Sequence, residues 1–315
     1  MTLPSGYTSR IATRADIDGM LAVYHSGDAI AVGAPDTPRS FVEEVFSSPF
    51  ADPTADIWVV EDGSGTVVAT ADVRAPEPTR SCDAFVRVHP DHAGRGIGSA
   101  LLDLCEDRAR VRAGGPTRVL TTAEPADPAG IALLRERGYE HVRTFIHMQR
   151  ELDDEIHPVL PEGVAFRAFR DDERDDWAAF HRVIETSFED HFEAFSLDLD
   201  AFVRLWTEMP TWDPSLVTFA VAGDDIAGVV VSDLLDGGDL GWLSDVGVLA
   251  PFRGRGIGRA LLLKAFEDLR ERGCDRVRLN VDAENTTGAT RLYERVGMHV
   301  HREWLVHEKA LEAGG

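Results

Sequence analysis

Arg253-Gly254-Arg255-Gly256-Ile257-Gly258 combines three glycines with two arginines in six residues. Glycines let a backbone approach a ligand closely and adopt conformations closed to other residues. Ala260, Leu261, Ala265 and Leu269 follow at helical spacing, which predicts a helix from Arg255 to Arg272 stopped at Gly273. A loop that feeds a helix N-terminus directs free N–H groups at an anion. Arg253, Arg255 and Arg259 add positive charge within an otherwise acidic half of the chain. The chemistry this pattern suits is the cradling of a diphosphate. It is not a Walker A loop, because no G-K-[ST] follows, and a dinucleotide fingerprint would sit beside the first strand of a βαβ unit.

The pattern occurs twice. Val86-Arg87-Val88-His89-Pro90 leads into Gly94-Arg95-Gly96-Ile97-Gly98-Ser99-Ala100-Leu101-Leu102, and Val246-Gly247-Val248-Leu249-Ala250-Pro251 leads into Gly254-Arg255-Gly256-Ile257-Gly258-Arg259-Ala260-Leu261-Leu262. Leu133-Leu134-Arg135-Glu136-Arg137-Gly138-Tyr139 likewise echoes Leu292-Tyr293-Glu294-Arg295-Val296-Gly297-Met298. A shift of roughly 160 residues is far too long for a solenoid repeat and marks a duplicated domain. The boundary falls in a charged stretch with two prolines and a glycine. The expected organisation is a first domain over 1–152, a linker over 153–163 and a second domain over 164–315.

The elements that must position the second loop can be read from periodicity. A strand at 164–169 precedes helices at 172–187 and 198–208. A hairpin joins 216–221 to 226–231 across Gly223-Asp224-Asp225. A strand from Leu240 to Leu249 enters the loop. A strand at 277–281, a helix from Thr287 to Val296 and a last strand from about Val300 to Glu308 complete the half. Strands first as a meander and then alternating with helices indicate a mixed α/β (α+β) sheet with flanking helices.

Composition narrows the function classes. The 315 residues suit two domains, each large enough for its own core. The net charge of −23 argues against binding a nucleic-acid backbone. Residues 1–150 hold 15 basic against 21 acidic side chains, and residues 151–315 hold 17 against 34. An acidic surface can steer a cationic substrate, and it equally serves solubility. No run approaches 18 apolar residues, so no membrane span is expected. The first residues show neither a basic nor an apolar region of a signal peptide. Cys82, Cys105 and Cys274 are scattered, which speaks against a disulfide framework or a cysteine-rich metal site and suits a cytoplasmic location.

With the loop and the Leu-Tyr-Glu motif both in place, each half resembles the GNAT superfamily of acyl-CoA-dependent N-acetyltransferases. Residues 253–258 resemble that family's acyl-CoA loop. Asn285-Thr286-Thr287-Gly288-Ala289-Thr290-Arg291-Leu292-Tyr293-Glu294 resembles its later motif, with one extra residue after Asn285 and Met298 where phenylalanine is usual. The tandem arrangement is similar to that of the mycothiol synthase-like group. The resemblance implies two tandem domains, each a mixed, mostly antiparallel sheet, and acetyl-CoA as the acyl donor with no metal. It implies that Val246 and Val248 meet the acetyl group through their backbone on a splayed strand. Arg253, Gly254, Arg255, Gly256, Ile257, Gly258 and Arg259 would hold the diphosphate. Asn285 would contact CoA, and Tyr293 would act as general acid toward the sulfur. Asp245, the nearest carboxylate on that strand, is the candidate base. Glu189, Asp190 and His191 fall where the family builds its acceptor pocket, and Trp206, Trp212 and Trp242 are further candidates to line it. Without the resemblance, Tyr293 reads as a core phenol, Asn285 as a turn residue, Asp245 as a hydrogen-bonded strand residue, the acidic cluster as a solvated helix end and the tryptophans as core.

The first half departs from this pattern. Ala93 stands in place of Arg253, and Leu134 in place of Tyr293. Val86, Val88, Gly94, Arg95, Gly96 and Gly98 remain, so a second CoA site is open there, without the chemistry. The expected function is acetyl transfer to a primary amine by direct attack in the second half, by a monomer or homodimer. The alternative is a CoA-binding sensor without turnover. The amine itself is not readable.

Overall fold

The structure is a computed structural model that describes residues 2–75, 81–153, 155–189, 191–192, 196–285 and 288–312. In chain order it contains β1 (Thr8–Ile11), α1 (Ile17–Ala31), α2 (Arg39–Val45), β2 (Ile57–Glu61), β3 (Val67–Arg74), β4 (Ser81–Val88), α3 (Ile97–Ala113), β5 (Thr117–Ala123), α4 (Pro128–Glu136) and β6 (Glu140–Glu151). The same order repeats as β7 (Val164–Ala168), α5 (Arg174–Phe188), α6 (Leu199–Thr207), β8 (Val217–Ala222), β9 (Asp225–Leu235), β10 (Leu240–Val248), α7 (Ile257–Glu271), β11 (Arg276–Asp282), α8 (Ala289–Arg295) and β12 (His299–Leu311). The elements read from periodicity in the second half are all present, with ends displaced by a few residues.

The chain forms two compact units, and they are not the contiguous halves expected from the sequence. One unit is Met1–Phe145 with Arg302–Gly315, and the other is Ile146–His301. The described residues of 153–163 carry no helix or strand. Burial, however, decides membership. Met148, Leu152 and Ile156 lie in the second unit's core, while Leu311 lies in the first unit's. Each repeat therefore takes its closing strand from the far end of the other repeat's sequence.

Within the first unit the strand order is β1-β2-β3-β4-β5-β12. β1 to β4 form an antiparallel meander, β4 and β5 run parallel, and β12 closes antiparallel to β5, with Leu305 opposite Ala123 and Leu311 opposite Thr117. In the second unit the order is β7-β8-β9-β10-β11-β6, with β10 and β11 the parallel pair. The mostly antiparallel mixed sheet matches the expectation. Each face of the second unit's sheet is covered by apolar side chains. Leu261, Phe266 and Leu269 of α7 pack with Val230, Val277 and Leu279. Phe180, Phe202 and Trp206 of α5 and α6 pack with Phe219, Val229 and Val231. Asp175 and Asp176 in the first turn of α5 suit the positive end of its dipole, and the Asp198 side chain caps α6 by accepting from Ala201 N at 2.8 Å.

Candidate active site

The site in the second unit starts from a break in strand pairing. β10 and β11 pair from Leu240↔Arg276 to Leu243↔Leu279, and no pair follows. On its other edge β10 pairs with β9 throughout, but the register shifts between Leu243, opposite Ser232, and Asp245, opposite Val231. Ser244 is the extra residue of a β-bulge, which bends a strand and re-aims its side chains. Beyond it, Asp245 to Val248 diverge from β11, leaving backbone groups on that edge for a ligand to meet. Val246 and Val248 pack against the α7-side core, so what they offer this opening is backbone.

Asp245 stands at the bulge. It is half-buried, and its carboxyl has no hydrogen bond or ion pair to a described residue. Burial, reinforced by the charge of Asp233, pushes its carboxyl up to about 7. Asp233 is buried on β9 and accepts the hydroxyl of Ser244, so the inserted residue ties the second carboxylate to the bulge. Burial also raises Asp233, against the hydrogen bonds from Ser244 and Thr211. Tyr293 on α8 is buried within the α7-side core, and its hydroxyl has no partner among the described residues. Burial and then the charge of Asp245 push it up to about 12, which keeps the phenol protonated at neutral pH. The arrangement thus supplies a carboxyl poised to exchange a proton near pH 7 and a phenol that can give one.

The loop follows β10. Gly256 is the N-cap of α7 at φ +85°, where a side chain would be strained, and no side chain caps the helix. The first N–H groups of α7 are thereby available to an anion. Arg253 uses Nε to hold the Val248 carbonyl at 2.8 Å. Arg255 lies over the Phe252 ring at 5.9 Å, and neither it nor Arg259 makes an ion pair with a described residue. In a chain of net charge −23, these arginines place positive charge beside a helix N-terminus, an arrangement that suits an anion. Asn285 follows β11 and donates its N–H to Asp282 O at 3.0 Å, the turn geometry expected of it.

The acceptor-side residues are less gathered. The last turn of α5 lies over Gly247, where a Cβ would come within 2.9 Å of Ser187 Oγ and of Val183. That Ser187 hydroxyl is buried without a hydrogen-bond partner among the described residues. Glu189 is exposed at the end of α5, and His191 directs Nδ1 at the Phe192 carbonyl at 3.0 Å. Asp190 lies outside the described residues. Trp206 is buried in the aromatic core with Phe169 and Phe180, and Trp212, partly buried, packs against it. Trp242 is opposite Asp233 in the β9–β10 ladder, with the His147 ring 5.4 Å away. Among the described residues no group of three His, Cys, Asp or Glu could hold a metal ion, and no helix is long and apolar enough to cross a membrane.

Asp233, Ser244, Gly247 and Ser187 were not singled out by sequence reasoning. A signal existed for the bulge. Aligning Ser81–Val88 with Leu240–Val248 requires one inserted residue, and Ser244 is it. A second echo was also missed: Leu3-Pro4-Ser5-Gly6 returns as Leu160-Pro161-Glu162-Gly163, inside the presumed linker. Pro4 and Pro161 take the same place, each 3.7 Å from a Cβ built on Gly96 or Gly256.

The chain is similar to known proteins in sequence and in fold. The acetyltransferase (GNAT) family model matches residues 26–139 and again 173–298. The chain is 33% identical over 269 residues to a mycothiol acetyltransferase of Nocardiopsis dassonvillei, covering 76% of each. It is 36% identical over 230 residues to that of Thermobispora bispora, covering 70% of this chain and 74% of the relative. Among solved structures, a GCN5-related N-acetyltransferase from Sphaerobacter thermophilus superposes with a TM-score of 0.83 at 28% identity, covering 100% of this chain and 98% of the other. A tandem GNAT protein from the clavulanic acid biosynthesis pathway shares the fold, with a TM-score of 0.73 at 19% identity over 98% of each chain.

Proposed function

For a chain that belongs to the acetyltransferase (GNAT) family, we propose that acetyl-CoA is the donor, a small-molecule primary amine the acceptor, and the second unit the place of reaction. The observation that carries this reading is the pair of unpartnered acid–base groups, Asp245 and Tyr293, at the divergence of β10 and β11 beside a loop with unpaired arginines.

In this reading the CoA diphosphate lies against the first N–H groups of α7, with Arg253, Arg255 and Arg259 around it and Asn285 nearby. The acyl arm enters between the diverging strands, and a backbone N–H at Val246 or Val248 donates to the acetyl oxygen. The ammonium of the acceptor gives a proton to Asp245, directly or through a water. The neutral amine attacks the thioester carbon, a C–N bond forms, and the oxyanion is held by the backbone donor. The C–S bond then breaks as the nitrogen gives up its second proton to water to become the amide. Tyr293 protonates the departing thiolate and is itself reprotonated from solvent, to which Asp245 also returns its proton. The Asp233–Asp245 pair and the acidic second unit favour a cationic acceptor. Glu189, Asp190 and His191 follow α5, whose last turn covers Gly247, and remain our candidates for its pocket.

The test is a screen of amines with detection of released thiol. The relatives named for mycothiol make an acceptor of that type the first compound to try. Thiol release that depends on one amine supports the reading. Binding of acetyl-CoA without release from any amine would instead leave a sensor module.

A further inference from the structure

In the first unit, β4 and β5 pair from Ser81↔Arg118 to Ala84↔Thr121 and then part, as β10 and β11 do. The two openings are filled differently. Where the second unit has Gly247, the first has Arg87. Its Nη1 donates to the Val86 carbonyl on β4 at 2.9 Å and to the Thr122 carbonyl on β5 at 3.3 Å. Its Nη2 donates to Thr122 Oγ1 at 3.2 Å. One guanidinium therefore spans the opening from strand to strand. The group is braced by rings, lying 5.1 Å from the Trp304 centroid and 5.9 Å from that of Tyr24. Trp304 is itself covered by Arg302 at 4.5 Å, and Arg302 is buried and paired with Asp28 at 2.7 Å and Glu124 at 2.6 Å.

Diverging strands leave carbonyl and N–H groups that need partners. An amide chain inserted between them would use those groups. In the first unit a five-donor planar cation has already taken two of the acceptors on opposite strands. We propose that Arg87 is the built-in occupant of the first unit's opening, so that this unit admits no acyl-CoA arm and the chain holds one acetyl-CoA rather than two. The inference rests on the cofactor assignment made for the second unit. The loop of the first unit agrees with it. Arg95 is engaged with the Tyr7 hydroxyl at 2.8 Å and the Asp91 carbonyl at 2.8 Å, and Ser99, in the place of Arg259, accepts from Arg137 at 3.1 Å.

Titration calorimetry of the full chain with acetyl-CoA tests it. The wild type is expected to saturate at one equivalent. Arg87→Gly is expected to take up a second, weaker equivalent, which Gly96→Val added to the same chain removes, while turnover stays within about twofold of wild type because Arg87 lies outside the catalytic unit. Two equivalents in the wild type overturn the proposal whether or not the variant folds. A folded Arg87→Gly, judged by its melting transition, that stays at one equivalent also overturns it. No binding at all in the wild type would instead sink the cofactor assignment for the second unit.

Discussion

Gly94 and Gly254 have φ of +69° and +74°, and Gly96 and Gly256 have +88° and +85°. A Cβ on Gly98 would meet Leu133 at 3.2 Å and Val88 at 3.7 Å, and one on Gly258 would meet Leu292 and Val248 at the same distances. The side chains around these matching backbones differ in kind. Asp233, Asp245 and Gly247 of the second unit correspond to Arg74, Phe85 and Arg87 of the first, and the bulge at Ser244 has no counterpart in the even register of β3 with β4. The glycines therefore answer a steric demand of the fold, namely a left-handed helix entry and a helix packed tightly on its neighbour. They would be needed even without a ligand. Arginines without an ion-pair partner among the described residues, a strand that parts from its neighbour with no arginine like Arg87 at the matching position, and acid–base side chains without a hydrogen bond to a described residue separate the two copies.

The largest effect should come from the loops themselves. Gly256→Val and Gly96→Val each force a β-branched residue to a φ near +85°, at a similar cost of about 1–3 kcal/mol in stability. Acetyl-CoA turnover should be lost in Gly256→Val and largely kept in Gly96→Val. Turnover measured beside thermal melting decides, and equal loss in both would erase the functional difference between the copies.

Asp245→Asn removes the base we propose and should lower kcat/KM by about 10²–10³-fold, while Phe85→Asp adds none. The pH profile sharpens this. A base must be ionised, so kcat/KM should rise with pH through about 7 in the wild type, and that limb should vanish in Asp245→Asn. A profile that is flat from pH 6 to 8 in the wild type, with chemistry limiting, would assign the base elsewhere.

Tyr293→Phe keeps the ring and removes only the hydroxyl. A CoA thiolate leaves partly unaided, so the loss in kcat should be near the lower end of the range for a positioned acid, about 10²-fold, with unchanged melting and acetyl-CoA affinity. Steady-state kinetics with a saturating acceptor measure it, and an unchanged kcat would make Tyr293 a packing residue like Leu134, its counterpart in the first copy.

Arg255→Ala and Arg259→Ala should each raise the KM for acetyl-CoA about threefold to tenfold, less so at high salt. Arg95→Ala should leave that KM alone. The smallest effect concerns stability. The raised carboxyl of Asp245 means that the folded chain holds this proton more tightly than the unfolded chain does. Wild-type stability should thus fall as pH rises from about 4 to about 7. Asp245→Asn lacks that loss, so it should melt a few degrees above wild type at pH 8 and level with it near pH 4.

Periodicity placed the elements of the second half, because amphipathic helices and a hairpin turn announce themselves locally. The strand exchange was not legible. Val300 to Glu308 reads as a strand wherever it pairs, and its antiparallel pairing with β5, together with the burial of Leu311 in the first unit's core, shows which sheet it joins. Two prolines in 153–163 suggested a boundary, whereas the three apolar residues Met148, Leu152 and Ile156 determined it. At the site, residue types were readable one by one. Electrostatic context was not, since the upward shift of Asp245 needs its burial and Asp233 from another strand. A tryptophan looks the same in sequence whether it is core, as Trp206 is, or stands beside a carboxylate, as Trp242 does.

The exchanged closing strands bear on how the chain can be made. On the ribosome, residues 1–145 emerge first, yet the edge of β5 gains its partner only with residues 305–311, almost 190 positions later. The first unit cannot finish folding as a free-standing module during synthesis. It must wait with an open strand edge, a feature that invites mispairing, until residues 305–311 have been made. Native maturation is therefore a single event for the whole polypeptide, and a nascent chain stalled before residue 305 should be an unusually strong client for chaperones.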